Sequence, residues 1–202
     1  MKRRRLPYII IGLVLILMIL PVGSRRTLSE KAFLSALPSP ERTPVKIPEA
    51  LSQYEPLLRQ YAEEIGWDWR LLAAIVYHES RFNHAAQSGK GATGLMQINS
   101  ARYSEDTLLI PAVNLSIGTA YLQKLERMFD AATPADSLKF ALAAYNLGDG
   151  KVRRMVSQAS SAGLDSTRWE EVSRLLPEGH HTSSYVDNVM ETFYQYSWQL
   201  PR

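Results

Sequence analysis

The sequence predicts an all-α domain of several short helices around one core. Three observations carry that prediction. From Leu51 onward, apolar residues recur at intervals of three and four, the period of a helix. Capping residues and glycines punctuate those runs where helices would start and stop. Convincing strand patterns, with apolar and polar residues alternating, do not occur in the same stretch, so helix must pack on helix. The folded part is expected to span 51–202, about 150 residues, an ordinary size for one domain. No internal repeat is visible.

The elements follow in order. Tyr54, Leu57, Leu58, Tyr61 and Ile65 form a first helical stripe, which Gly66 ends. Asp68 is placed to cap a second helix carrying Leu71, Leu72, Ile75 and Val76. Ser88 to Gly94 is glycine-rich and reads as a loop. Asn114 is expected to cap a third helix, with Ile117, Tyr121, Leu122 and Leu125 on its apolar face. Asp136 or Ser137 is expected to cap a fourth, carrying Leu138, Ala141, Leu142 and Tyr145 and closed by Gly148 and Gly150. Trp169 to Leu176 reads as a short helix. Ser183 or Ser184 is expected to cap the last, which carries Val186, Val189, Phe193 and Tyr196.

Ahead of the domain, residues 1–26 read as a signal peptide or signal anchor. Lys2 to Arg5 is a basic cluster, Ile9 to Leu20 is apolar apart from Gly12, and small residues follow. Counted from Leu6 to Val22, the apolar run approaches the roughly 17-residue lower limit of a spanning helix. The chain is therefore expected to be exported, with a membrane as partner through residues 6–22 if the signal is not cleaved. Arg25 and Arg26 lie on the far side of that run, against the charge bias of an anchor. Pro38, Pro40, Pro44 and Pro48 then mark residues 27–50 as a semi-rigid tether.

Charge excludes one class of function. The net charge is +3, but six of the positive residues are Lys2, Arg3, Arg4, Arg5, Arg25 and Arg26. Residues 27–202 carry 17 basic and 20 acidic side chains, so nucleic acid is not an expected partner. There is no cysteine, which rules out disulfides and thiolate chemistry. His78 and His84 lack the helical spacing of metal ligands, and His180–His181 is an isolated pair. No metal or cofactor is expected, and all four histidines are read as surface or loop residues. Trp67, Trp69, Trp169 and Trp198 are read as core or membrane-near packing residues.

The chemistry centres on Glu79. It lies seven residues after Leu72, four after Ile75 and three after Val76, on the apolar stripe of the second helix. Burial penalises an ionised carboxylate and raises its pKa, and a carboxyl kept protonated near neutral pH can donate a proton. On position alone a second reading stands beside this one, a helix-end Glu that pairs with Arg81 or points outward.

The neighbouring motifs favour the first reading. Glu79-Ser80, Gly94-Leu95-Met96-Gln97, Ala144-Tyr145-Asn146 and Tyr185-Val186 occur in that order. Together they resemble the soluble-type (SLT, goose-lysozyme-like) lytic transglycosylases. Asn114 to Leu122 is similar to that family's Asn-Ile-x-x-Gly-x-x-Tyr-Leu helix. Ile65-Gly66-Trp67-Asp68-Trp69 resembles the start of the catalytic helix in the membrane-bound F-type members. Four motifs in order are far more specific than any one alone. The resemblance spans roughly residues 51–196 and implies a lysozyme-like fold around a glycan-binding groove.

The resemblance also implies an activity. Glu79 would protonate the oxygen between N-acetylmuramic acid and N-acetylglucosamine in peptidoglycan. It would then take a proton from the muramoyl 6-hydroxyl, which closes on the anomeric carbon to leave a 1,6-anhydro end. Only one carboxylate is required, whereas most glycoside hydrolases use two. Asp149, between Gly148 and Gly150, is read as a turn residue. The substrate-binding residues implied are Ser80, Gly94, Met96, Gln97, Tyr145, Asn146 and Tyr185, and the location implied is the periplasm. Read without the family, Ser80 is a helix-end hydroxyl, Gly94 a turn, Met96 core and Gln97 a loop stabiliser. On the same terms Tyr145 is core, Asn146 a C-cap and Tyr185 a half-buried aromatic.

Some positions depart from the family pattern. Ile98-Asn99-Ser100-Ala101-Arg102 replaces Met-Pro-x-Thr-Ala, and His181-Thr182-Ser183-Ser184 stands where an acid and an arginine often precede the late tyrosine. The amino-terminal ligand-binding domain of F-type relatives is expected to be absent. Two alternatives remain open at this stage: a hydrolase of goose-lysozyme type, and a non-catalytic wall-binding module.

Overall fold

Burial recurs with helical spacing through the described part of the chain, residues 45–99, 101–177 and 180–202 of a computed structural model. The expected signal or anchor at 1–26, and the tether up to residue 44, lie outside the described residues. Among those residues there are eight helices and no extended strand. The all-α expectation is borne out.

Helix α1 (Ala50–Ile65) buries Leu51, Tyr54, Leu58 and Ala62 along one stripe. It stops at Gly66, whose φ of 74° suits glycine. The Gly66 and Trp67 N–H groups turn back to the Glu63 and Ala62 carbonyls. Helix α2 (Trp69–Ser80) starts at Asp68, whose carboxylate accepts from the Arg70 N–H at 2.9 Å. Every residue from Trp69 to Val76 is buried, so α2 is a central helix enclosed on all sides rather than a surface helix with one apolar stripe.

After a loop come α3 (Glu105–Leu108) and α4 (Pro111–Glu126). Asn114 does not cap α4. Pro111 opens the helix, since its fixed φ and missing N–H suit the first turn, and this leaves Asn114 inside. Helix α5 (Pro134–Leu147) is capped by Thr133, whose hydroxyl accepts from the Asp136 N–H at 3.1 Å, and not by Asp136 or Ser137. Gly148 ends α5, but Gly150 does not, because Asp149 opens α6 (Asp149–Ser161). The sequence reading missed α6, since only Val152, Met155 and Ala159 of its polar length are buried. Helix α7 (Trp169–Ser173) is followed by α8 (His181–Gln199). The cap of α8 is His180, whose ring Nδ1 accepts from the Thr182 N–H at 3.2 Å, and neither Ser183 nor Ser184.

Helix α2 packs against α1 and α8, α4 against α1 and α5, and α5 against α6 and α8. Phe140, fully buried, stacks on Phe129 and meets Trp169 edge-on. Side chains of this size stabilise by about 1.5–3 kcal/mol each when fully buried. Helices α2 and α8 run antiparallel, with the Tyr77 ring edge-on to Tyr196 between them. At the far end the buried Arg70 guanidinium pairs with Asp68 and donates to the Ser197 and Leu200 carbonyls, both at 3.2 Å. Those bonds fix the first turn of α2 against the last turn of α8.

Candidate active site

The last turn of α2 delivers Glu79. Beyond Ser80 the chain turns through Arg81 (φ 54°) and Phe82 (φ 62°), two left-handed residues without a glycine. Such conformations cost on the order of 1–3 kcal/mol each. Burial of Phe82 and the Arg81 guanidinium, 3.9 Å over the Tyr77 ring, offset that cost. Arg81 is thus occupied by Tyr77, and the Glu79–Arg81 pair weighed from sequence is not formed.

Burial pushes the Glu79 carboxyl from an ordinary 4.5 to about 7. One interaction acts the other way. The Tyr185 hydroxyl, carried in by α8, donates to Glu79 Oε1 at 2.6 Å and favours the carboxylate. Tyr185 itself is held neutral by burial and by the Glu79 charge. Tyr145, from α5, also feels that charge, and its hydroxyl donates to the Met96 carbonyl at 2.6 Å. A carboxyl poised near neutrality beside neutral phenols can give up a proton and recover one within a single reaction.

The loop carrying Gly94 to Gln97 is held by Asn114. This fully buried amide accepts from the Met96 N–H at 2.8 Å and donates to the Thr93 and Leu108 carbonyls at 2.9 and 2.8 Å. Gly94 has φ 81°, and a Cβ there would lie 2.5 Å from the Leu108 oxygen and against the Asn114 amide. Its glycine requirement thus comes from this packing. Met96 is fully buried with its side chain against Gly118, so the sugar-facing surface implied for it is corrected to core. The Gln97 amide nitrogen donates to the Ala86 and Gly94 carbonyls at 3.2 and 3.1 Å, as a loop stabiliser would. Ser80 is buried and donates to the Val76 carbonyl at 3.3 Å. Asn146 is exposed and its Oδ1 accepts from the Thr182 hydroxyl at 2.8 Å, joining α5 to α8.

Glu79, Tyr185 and Tyr145 are therefore brought together, while Ser80, Gly94, Met96 and Gln97 make internal bonds or contacts around them. Sequence reasoning missed Asn114 as the loop's anchor, although Pro111 as a helix-opening residue would have placed it inside α4. It also missed Tyr121, half-buried, whose ring lies 5.7 Å from that of Tyr145 and whose hydroxyl is raised by burial and by Asp149. Asp149 is not a turn residue. It forms the first residue of α6 and pairs with Arg153 at 3.1 Å.

Residues 56–166 match the Transglycosylase SLT domain family. The chain belongs to that family. Curated relatives include the membrane-bound lytic murein transglycosylase F of Desulfosudis oleivorans, 36% identical over 143 residues, 69% of this chain and 32% of that protein. The namesake from Marinobacter nauticus is 35% identical over 159 residues, 69% of this chain and 32% of that protein. The chain thus spans about a third of the length of these relatives. Among solved structures, the 70-kDa soluble lytic transglycosylase of Escherichia coli superposes with a TM-score of 0.59 at 28% identity, covering 73% of this chain and 24% of that one. The lytic transglycosylase Slt of Pseudomonas aeruginosa, solved as an inactive Glu-to-Gln mutant, gives 0.55 at 29% identity, over 73% of this chain and 24% of that one. The SLT resemblance read from the motifs and the lysozyme-like fold are both borne out.

Proposed function

We propose that this SLT-family chain is a peptidoglycan lytic transglycosylase. It cleaves the β-1,4 bond between N-acetylmuramic acid and N-acetylglucosamine and leaves 1,6-anhydro ends. The observation that carries the reading is the Glu79 carboxyl, lifted by desolvation to a pKa of about 7 and bonded to Tyr185 at 2.6 Å. Glu79 gives its proton to the departing glycosidic oxygen. Its carboxylate then takes the proton of the muramoyl 6-hydroxyl, whose oxygen closes on the anomeric carbon. Two-carboxylate hydrolysis needs a second acid facing the bond, and the acid next to the motifs, Asp149, opens α6 and pairs with Arg153 at 3.1 Å.

The wider arrangement belongs to the same proposal. Residues 1–26 export the chain and anchor it if uncleaved, 27–50 tether it, and 51–202 form the catalytic domain in the periplasm. Among the described residues no helix is long and apolar enough to cross a membrane. Mass spectrometry of fragments released from purified cell wall tests the chemistry. Anhydro-muramoyl ends support it. Reducing muramic acid ends turn the reading to hydrolysis, and strands bound but never solubilised turn it to a wall-binding module.

A further inference from the structure

The residue before Glu79 is not a surface histidine. His78 Nε2 lies 2.8 Å from the Thr192 hydroxyl on α8, and the Asn188 backbone, one turn earlier on that helix, acts on the same ring. Burial and the Arg81 guanidinium lower its pKa, so the imidazole is neutral, with one nitrogen as donor and the other as acceptor. A neutral ring meets the Thr192 hydroxyl either as donor or as acceptor, because that hydroxyl can play both parts. The edge of the Tyr77 ring is packed beside it at 5.3 Å between centroids.

The partners of His78 lie on the element that carries Tyr185. Tyr185, Asn188 and Thr192 are spaced by three and four residues, which puts them on one face of α8. That face meets consecutive residues of α2, Tyr185 at Glu79 and Thr192 at His78. Arg70 fixes the antiparallel pair at its other end, more than two turns of α2 away. The His78–Thr192 bond is therefore a polar tie next to Glu79 that limits how far α8 slides or rolls against α2.

We propose that His78 is a positioning residue: by clasping α8 at Thr192 it holds the register that delivers the Tyr185 hydroxyl to the Glu79 carboxyl. This rests on the transglycosylase reading for its effect on activity, though not for its effect on the Glu79–Tyr185 bond. The clasp touches no substrate. It acts through Tyr185, and small misplacement of a reacting group is costly, up to about a hundredfold in rate.

The test uses the full chain with His78→Ala, His78→Gln, Thr192→Val and, as reference, Tyr185→Phe. Release of anhydro-muramoyl fragments gives kcat and KM against pH, and NMR of the Glu79 side-chain carboxyl gives its titration independently of turnover. Tyr185 favours the Glu79 carboxylate, so loss of its bond raises the Glu79 pKa. His78→Ala is expected to lower kcat by about tenfold with KM unchanged. It is also expected to move the Glu79 titration upward, in the direction of Tyr185→Phe. Thr192→Val does the same to a smaller degree, and His78→Gln, whose amide reaches the place of Nε2, recovers most of both. A folded His78→Ala whose Glu79 titration stays at the wild-type value overturns the proposal, whatever happens to kcat. If the wild-type chain releases no anhydro ends, the transglycosylase reading fails, while the titration still decides the clasp.

Discussion

Replacing Glu79 by Gln exchanges activity for stability in a pH-dependent way. The folded chain holds this carboxyl at about 7 against an ordinary 4.5. The raised value means that the fold prefers the protonated form. Its full stability is present below pH 4.5 and is progressively lost as pH rises through about 7, where the buried group must ionise. Gln carries no charge at any of these values and keeps a carbonyl for the Tyr185 hydroxyl. A displacement of about 2.5 pH units at 1.36 kcal/mol each gives a ceiling of roughly 3 kcal/mol. Solvent at the partly exposed carboxyl reduces it. For a chain of this size that is at most about 6–12 °C in Tm. Thermal unfolding followed by circular dichroism should show wild type and variant together near pH 4, with the variant rising above by pH 8. Its cleavage activity should fall by at least about a hundredfold. A stability gap that is constant from pH 4 to 8, or one that favours wild type at pH 8, would refute the claim that burial sets the Glu79 pKa.

Three further outcomes are expected. Wild-type cleavage should decline as pH rises through about 7, and in Tyr185→Phe this limb should move up by about one to two pH units, since a bond to a charged group contributes about 1.5–3 kcal/mol. The pH profile of kcat is the measurement, and an unmoved limb would deny the bond its role. Asn114→Leu strands one buried N–H and two buried carbonyls, so urea unfolding should report a loss of about 3–5 kcal/mol. Arg70→Met leaves Asp68 buried and unpaired, and should cost about 3–5 kcal/mol. Adding Asp68→Asn should return part of that in the same unfolding assay, and no recovery would mean that the pair's charge is not what matters.

Local chemistry was legible where it sits in adjacent residues. Gly66 could be recognised as a stop because a left-handed residue at a helix end favours glycine whatever surrounds it, and Asp68 as a cap for a similar local reason. The apolar period fixed the all-α class, and Glu79's offsets from Leu72, Ile75 and Val76 placed it among buried neighbours. The four ordered motifs carried the family. Caps at Asn114, Asp136 and Ser183 were misread because several polar residues competed in each stretch. The stronger signals were Pro111, Thr133 and the ring of His180. Helix α6 escaped because three buried residues in thirteen leave too faint a stripe.

What remained was decided by partners far apart in the chain. No pattern within the sequence tells that Met96 turns inward onto Gly118, or that Asn114 gives its amide to two backbone groups of a distant loop and to the Leu108 carbonyl. Nor does it tell that His78 reaches across 114 positions to Thr192, or Tyr185 across 106 to Glu79. Periodicity specifies which face of a helix is buried. Which atom on the opposing helix a polar group meets depends on the register between elements, and only packing of the whole core sets that register.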